Sequence, residues 1–234
     1  MKTGTLYGVG LGPGDPELMT IKAHRLISGA GAVAYPTLEG GDSFALSIAG
    51  DAISSDAKHI AISIPMSVER GPAQAAYDGG AAAIAKVLET GQDVVVLCEG
   101  DPFFYGSFMY IFSRLADKYA TEVVPGVTSI TACAAALKRP LTARNEVLTI
   151  IPGPLSENEM RTRIEAASSI AIMKVGRHLP KIRAVLDDLN LTKDAGYVER
   201  ASLPNQVVLP LADAPAKAPY FSMILIFKGK DPWL

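Results

Sequence analysis

The first 140 residues repeat one pattern, and it limits the fold more than any other feature. A short apolar run ends in glycine or proline, and a helical stretch follows. Residues 5–10 break into Gly10-Leu11-Gly12-Pro13-Gly14, residues 32–35 stop at Pro36, and residues 59–64 stop at Pro65. Residues 93–98 (DVVVLC) stop at Glu99-Gly100-Asp101-Pro102, and residues 122–124 stop at Pro125-Gly126. Between and after these runs the spacing predicts helices from Pro16, capped by Asp15, and over 43–53, 72–89, 105–119 and 128–137. Met19, Ala23, Leu26, Ile27 and Ala30 supply the apolar face of the first helix, and Gly79-Gly80 weakens the third. Strands alternating with helices in this way give an α/β fold: an open parallel sheet with helices on both faces.

A polar stretch over 138–147 separates this region from one of different texture, and a domain boundary is placed there, giving domains 1–140 and 141–234. Strands are predicted at 148–151, 170–175, 195–198, 207–211 and 223–227, with helices near 156–167 and 180–188 and an exposed loop over 212–219. Fewer helices per strand predict a C-terminal α+β domain with a mixed sheet. Composition agrees: 49% of residues are apolar but only 7% aromatic, which suits helices covering a sheet better than an aromatic-rich sandwich. The net charge is −2 with no basic stripe, so a nucleic-acid partner is not expected. No uncharged apolar run approaches the about 18 residues of a membrane span, and no signal-peptide pattern opens the chain. A cytoplasmic enzyme is expected. Cys98 and Cys133 lie in apolar runs and read as small core residues.

The glycine run Gly8-Val9-Gly10-Leu11-Gly12-Pro13-Gly14 is not a dinucleotide fingerprint. The third glycine of that motif would fall on Pro13 or Asp15, and Tyr35-Pro36 stands where an acidic ribose partner belongs. Its plain reading is a tight strand-to-helix turn. The loop 99–106 (EGDPFFYG) follows the best buried strand, Gly100 would let a ligand reach the backbone, and Asp101 offers an acceptor. A third loop, Pro125-Gly126-Val127-Thr128-Ser129, also leaves a strand and opens a helix, with hydroxyls and amides suited to a carboxylate. Three such loops on one sheet edge point to a pocket.

Together these segments resemble the tetrapyrrole (uroporphyrinogen/precorrin-type) methyltransferase family: V-G-x-G-P-G-D at 9–15, E-G-D-P-x-x-Y-G at 99–106, P-G-V-T-S at 125–129, Tyr197-Val198-Glu199-Arg200-Ala201, and a last strand ending Phe227-Lys228-Gly229. The resemblance spans essentially the whole chain. It implies a two-domain α/β enzyme, usually a homodimer, with S-adenosyl-L-methionine in the cleft between domains. The implied cofactor residues are Gly100, Asp101, Pro102, Phe104, Tyr105 and Gly106, with Thr128 and Ser129 toward the methionine part and Met173, Ala201 and Met223 toward the adenine. Pro13 and its glycines would lie nearer the tetrapyrrole.

Methyl transfer from a sulfonium to an electron-rich ring carbon needs mainly alignment. No catalytic residue is assigned; Glu99, Asp101 and Tyr105 are candidates for taking the proton lost afterwards. A tetrapyrrole carries several carboxylates, for which Arg139, Arg144, Arg177 and Arg200 are candidates beside Tyr35. His24, His59 and His178 lack metal-ligand spacing, and no metal is expected. Outside the shared loops, residues 14–22, Tyr35-Pro36, Ile64-Pro65-Met66, Ser107-Phe108-Met109-Tyr110, Lys174-Val175-Gly176-Arg177 and Pro219-Tyr220-Phe221-Ser222-Met223 resemble the branch that methylates precorrin-2 at C20. The alternatives are another position on a precorrin, an RNA or modified-histidine substrate as in other relatives, or a non-catalytic carrier.

Overall fold

The computed structural model describes residues 2–39, 41–65 and 70–229; Met66 lies outside them. The chain divides into two compact units, Met1–Thr128 and Ser129–Leu234.

The first unit holds five strands: β1 (Leu6–Gly10), β2 (Ala32–Leu38), β3 (Lys58–Ile64), β4 (Val94–Cys98) and β5 (Thr121–Val124). They form one sheet in the order β3-β2-β4-β1-β5, every pair parallel. Helices α1 (Ile21–Ser28) and α2 (Phe44–Ala49) cover one face, and α3 (Arg70–Leu88) and α4 (Phe108–Leu115) cover the other. The central strand shows why an unbroken apolar run was needed. Val94, Val96 and Cys98 pack toward Ile84, Leu88 and Phe108, while Val95 and Leu97 pack toward Ile27 and Ile48. At Gly80 an added Cβ would stand 2.9 Å from Ile62 Cγ1, so the Gly79-Gly80 pair lets α3 lie close on β3 without breaking the helix.

Three of the boundaries that differ from the sequence reading have a visible cause. The first predicted helix is split: Asp15 accepts the Glu17 N–H (2.9 Å) and caps only a 3₁₀ turn at Pro16–Leu18. Met19 and Thr20 are extended, and Thr20 Oγ1 then accepts the Ala23 N–H (3.1 Å) to start α1. A second cap-former within the pattern wins over its periodicity, and Ile21 is left 90% exposed. Strand β2 runs through Pro36, because β4 pairs with it only at Val33 and Ala34, so Pro36 lacks an N–H where no β4 partner asks for one. Helix α4 begins three residues late, since Tyr105 adopts φ 55° and cannot join it.

The second unit holds α5 (Ser129–Ala136), β6 (Leu148–Pro152), α6 (Glu157–Ala166), β7 (Ser169–Met173), α7 (Leu179–Asp188), β8 (Ala195–Glu199), β9 (Val207–Pro210) and β10 (Ser222–Phe227). Its sheet has the order β6-β7-β10-β8-β9; β6 and β7 are parallel and the other pairs antiparallel, the mixed sheet expected. Ser156 and Glu159 close a capping box on α6. Met160, Ile164, Ile170, Ile172, Ile182, Leu186, Tyr197 and Ile224 build the core. Contacts put α5 in this unit, whereas the sequence boundary at 140/141 puts it in the first. The helix is followed by Leu137, which packs on Gly196, and by Arg139, whose guanidinium lies 4.3 Å from the Phe227 ring centre. The loop at 212–219 is mostly exposed, but it starts on a 3₁₀ turn and buries Ala214.

Candidate functional site

In the first unit β4 and β1 are neighbours, and the chain leaves them toward opposite faces: β1 leads to α1, and β4 leads to α4. Open α/β sheets bind ligands beyond the carboxyl ends of the strands at such a point. Here the two strand ends are joined by backbone. Gly12 N–H donates to Gly100 O (3.2 Å) and Gly100 N–H to Gly12 O (2.8 Å). On the other side of β1, a Cβ at Gly10 would stand 2.6 Å from Gly126 N and 2.7 Å from Gly100 O, and one at Gly126 would stand 2.0 Å from Gly100 O. Three neighbouring strand ends therefore meet with no side chain between them. Gly8 serves a different purpose: a Cβ there would stand 2.3 Å from the Phe108 ring, which packs flush against the sheet.

Asp101 organises the loop that follows. Its Oδ1 accepts the N–H groups of Phe103 (2.9 Å) and Phe104 (3.1 Å), and its Oδ2 accepts that of Gly126 (3.0 Å). Gly106 closes the loop tightly, since a Cβ would stand 2.5 Å from Asp101 O and 2.6 Å from Pro102 O. Pro102 is buried, and the rings of Phe104 and Tyr105 meet edge to face at 5.2 Å. Gly100 is the opening in this arrangement. It has φ +64°, and nothing lies within 4 Å of where its Cβ would be. Thr128 ends the unit, two residues past Gly126. The six loop residues named from sequence thus share one turn, next to the loop that carries Thr128. The sequence reading placed Gly10 and Gly126 in pocket-forming loops but missed that both close directly on Gly100. The available signal was that both close neighbouring strands.

In the second unit Met173 and Met223 are direct cross-strand partners. Ala201, buried, follows β8 at the same end of the sheet, and Ser129 opens α5. The basic residues differ in what engages them. Arg200 donates from Nη2 to Glu199 Oε2 (2.7 Å) and from Nε to Asn205 O (3.1 Å). Glu199, only 6% exposed, also accepts the Tyr197 hydroxyl (2.8 Å). A buried carboxylate with two donors this close needs the cation beside it. Arg177 is exposed in a 3₁₀ turn, and Arg144 is exposed with φ 45°. In the first unit Pro13 is half-buried, and Tyr35 sets its half-buried ring edge-on to His59 at 5.7 Å.

Burial pushes the Glu99 carboxyl above its ordinary range, against the opposing pull of its own amide and that of Ala45. The Cys98 thiol is pushed up to about 11, also by burial. Among the described residues no three His, Cys, Asp or Glu side chains gather as a metal site, and no helix is long and apolar enough to cross a membrane.

A parallel sheet whose central strands end on touching glycines, followed by a mixed-sheet unit, defines an α/β protein of the kind that binds ligands at its strand ends. Comparison with known proteins narrows that class. Residues 5–215 match the model of the tetrapyrrole (corrin/porphyrin) methylases. The chain is 37% identical over 237 residues to a precorrin-2 C(20)-methyltransferase of Sinorhizobium sp, covering 97% of both chains. It is 39% identical over 236 residues to the cobalamin biosynthesis protein CobIJ of Mycobacterium tuberculosis; the match covers 97% of this chain but 46% of that protein, so the chain spans about half of that relative. Among solved structures it is similar to the uroporphyrin-III C-methyl transferase of Thermus thermophilus complexed with S-adenyl homocysteine, with a TM-score of 0.65, 25% identity, and coverage of 95% and 97% of the two chains. The chain belongs to the tetrapyrrole methylase family.

Proposed function

We propose that this protein methylates precorrin-2 at C20 with S-adenosylmethionine, giving precorrin-3A on the route to cobalamin. The observation that carries the reading is the end-to-end match, 97% of both chains, to the Sinorhizobium precorrin-2 C(20)-methyltransferase. The first unit suits the cofactor. Open space stands over Gly100, and the loop around it is held by Asp101, so a ligand can reach backbone groups that are already in position. When bound, the sulfonium supplies an electrophilic methyl group, and the chain's task is to align it with the ring carbon. Gly100, Asp101, Pro102, Phe104, Tyr105, Gly106, Thr128 and Ser129 are assigned to the cofactor, and so are Met173, Ala201 and Met223. Pro13, Tyr35, Arg144, Arg177 and Arg200 are assigned to the substrate. Of the three groups considered for the proton released from carbon, Asp101 spends both oxygens on amides, and Tyr105 is exposed at a backbone φ of 55°. Glu99, made more basic by burial, is the candidate acceptor.

We also read the protein as a cytoplasmic homodimer. Its 49% apolar content is generous for a monomer of this size, and light scattering giving a mass near 24.7 kDa would refute the dimer. The function is tested with labelled S-adenosylmethionine and precorrin-2, metal-free and cobalt-loaded, locating the new methyl by NMR. A label at C20 is expected. A label on a peripheral carbon such as C17, or turnover only with a later precorrin, would overturn the C20 assignment.

A further inference from the structure

Two large aromatic side chains stand together, both well exposed, in the second unit. Tyr220 is 69% exposed and Phe221 is 45% exposed, just before β10. Their backbone is firmly held. Arg200 N–H donates to Phe221 O (2.8 Å), Ser222 N–H to Tyr220 O (3.0 Å), and the Ser222 hydroxyl to Pro219 O (2.7 Å). The rings lie 5.1 Å apart with planes at 77°. Rings at that angle cannot both stack on one plate; they form a corner, offering a face for a plate-like ligand and a wall for its rim.

The corner sits at the sheet end that carries Met173, Met223 and Ala201, since Ser222 pairs with Glu199 and Met223 with Met173. Its neighbours are cationic. The Tyr220 Cα lies 3.9 Å from where a Gly176 Cβ would be, in the turn that carries exposed Arg177, and Lys174 follows Met173 directly. The acid on this edge, Glu199, is already occupied by Arg200 and Tyr197. A flat neutral ring such as adenine has no use for that charge. A conjugated macrocycle rimmed with carboxylates uses both the corner and the cations.

We infer that Tyr220 and Phe221 form the ledge on which the tetrapyrrole macrocycle rests, with Arg177 meeting a peripheral carboxylate. This rests on the proposed reading of a tetrapyrrole substrate and names the surface that selects it. The ledge holds substrate without touching the reacting atoms, so its loss should appear in KM rather than kcat.

The full-length protein and its Tyr220→Leu, Phe221→Leu and Arg177→Gln variants are compared by steady-state kinetics with precorrin-2. Calorimetry with S-adenosylhomocysteine, light scattering, and fluorescence titration with uroporphyrin III complete the set. Each aromatic variant should raise the precorrin-2 KM about tenfold with kcat little changed. S-adenosylhomocysteine affinity should be unaltered, and uroporphyrin III binding should weaken in parallel. Reduced S-adenosylhomocysteine affinity with unchanged KM would make the pair an adenine platform and overturn the inference. A change in mass with unchanged KM would make it a contact between copies and overturn the inference as well. So would no change in any reading. If wild-type protein fails to methylate precorrin-2, the proposed function falls. The ledge is then judged by uroporphyrin III alone: binding that the variants lose supports it, and binding they keep, or none to wild type, overturns it.

Discussion

The Oδ2 oxygen of Asp101 accepts the N–H of Gly126 at 3.0 Å, tying the loop after β4 to the loop after β5 across 25 residues of chain. With Oδ1 taking two amides of its own loop, the carboxylate holds three backbone donors. Asp101→Ala should therefore cost about 2 kcal/mol of stability while the fold survives. It should also weaken S-adenosylhomocysteine binding by about tenfold or more, because both loops lose their register. Chemical denaturation and calorimetry check the two effects, and unchanged affinity would remove Asp101 from the site.

Gly100 separates strain from obstruction. An alanine there meets no neighbour, since nothing lies within 4 Å of the added Cβ, but it must adopt φ +64°. The expected stability cost of Gly100→Ala is about 1 kcal/mol, with a loss of ligand affinity larger than that strain explains. Gly100→Val should abolish S-adenosylhomocysteine binding in calorimetry while circular dichroism remains native. A valine variant that binds normally would disprove the use of this opening.

Gly8 makes the opposite case. Gly8→Ala puts a methyl 2.3 Å from the Phe108 ring and should destabilise the first unit by about 2 kcal/mol through overpacking. Adding Phe108→Leu should restore part of the loss, giving favourable coupling in a double-mutant cycle by urea denaturation.

These glycines show what the sequence made legible and what it hid. The five strands of the first sheet could be located because each carries an apolar run with a turn residue near its end, although β2 runs on through its expected stop at Pro36, and 94–98 fits the centre as an unbroken buried run. The ligand loops were legible because turn residues follow those runs. The run from Gly8 to Gly14 looked like one motif, yet Gly8 makes room for Phe108 and Gly10 makes room for Gly126. Such contacts join residues about a hundred positions apart, and no local pattern records them. The split of the first helix was hidden for a different reason: Thr20 fits both a helix interior and a cap, and only tertiary packing decides. The commitment of Arg200 to Glu199 was equally unreadable, because neighbours in sequence need not pair.

Both thiols should make the protein less stable in alkali. Burial raises Cys98 from 9.0 to about 11 and Cys133 from 9.0 to about 12, and the Tyr77 phenol rises from 10.0 to about 12. Above pH 9 the unfolded thiols release protons that the folded ones keep, so the unfolded state gains as pH rises. This stability is fully present below pH 9 and is lost as pH passes the folded values near 11 and 12. Urea midpoints measured from neutral pH upward should fall in that window, and a Cys98→Ala/Cys133→Ala protein should fall less steeply.

The paired backbone bonds between Gly12 and Gly100 have a consequence for motion. Glycine-rich loops are ordinarily the first parts of a domain to open. Here each of the two loops is the other's partner, so neither can open by itself. Their amides should exchange with solvent together, on the slow schedule of the central strands rather than the fast one of surface turns.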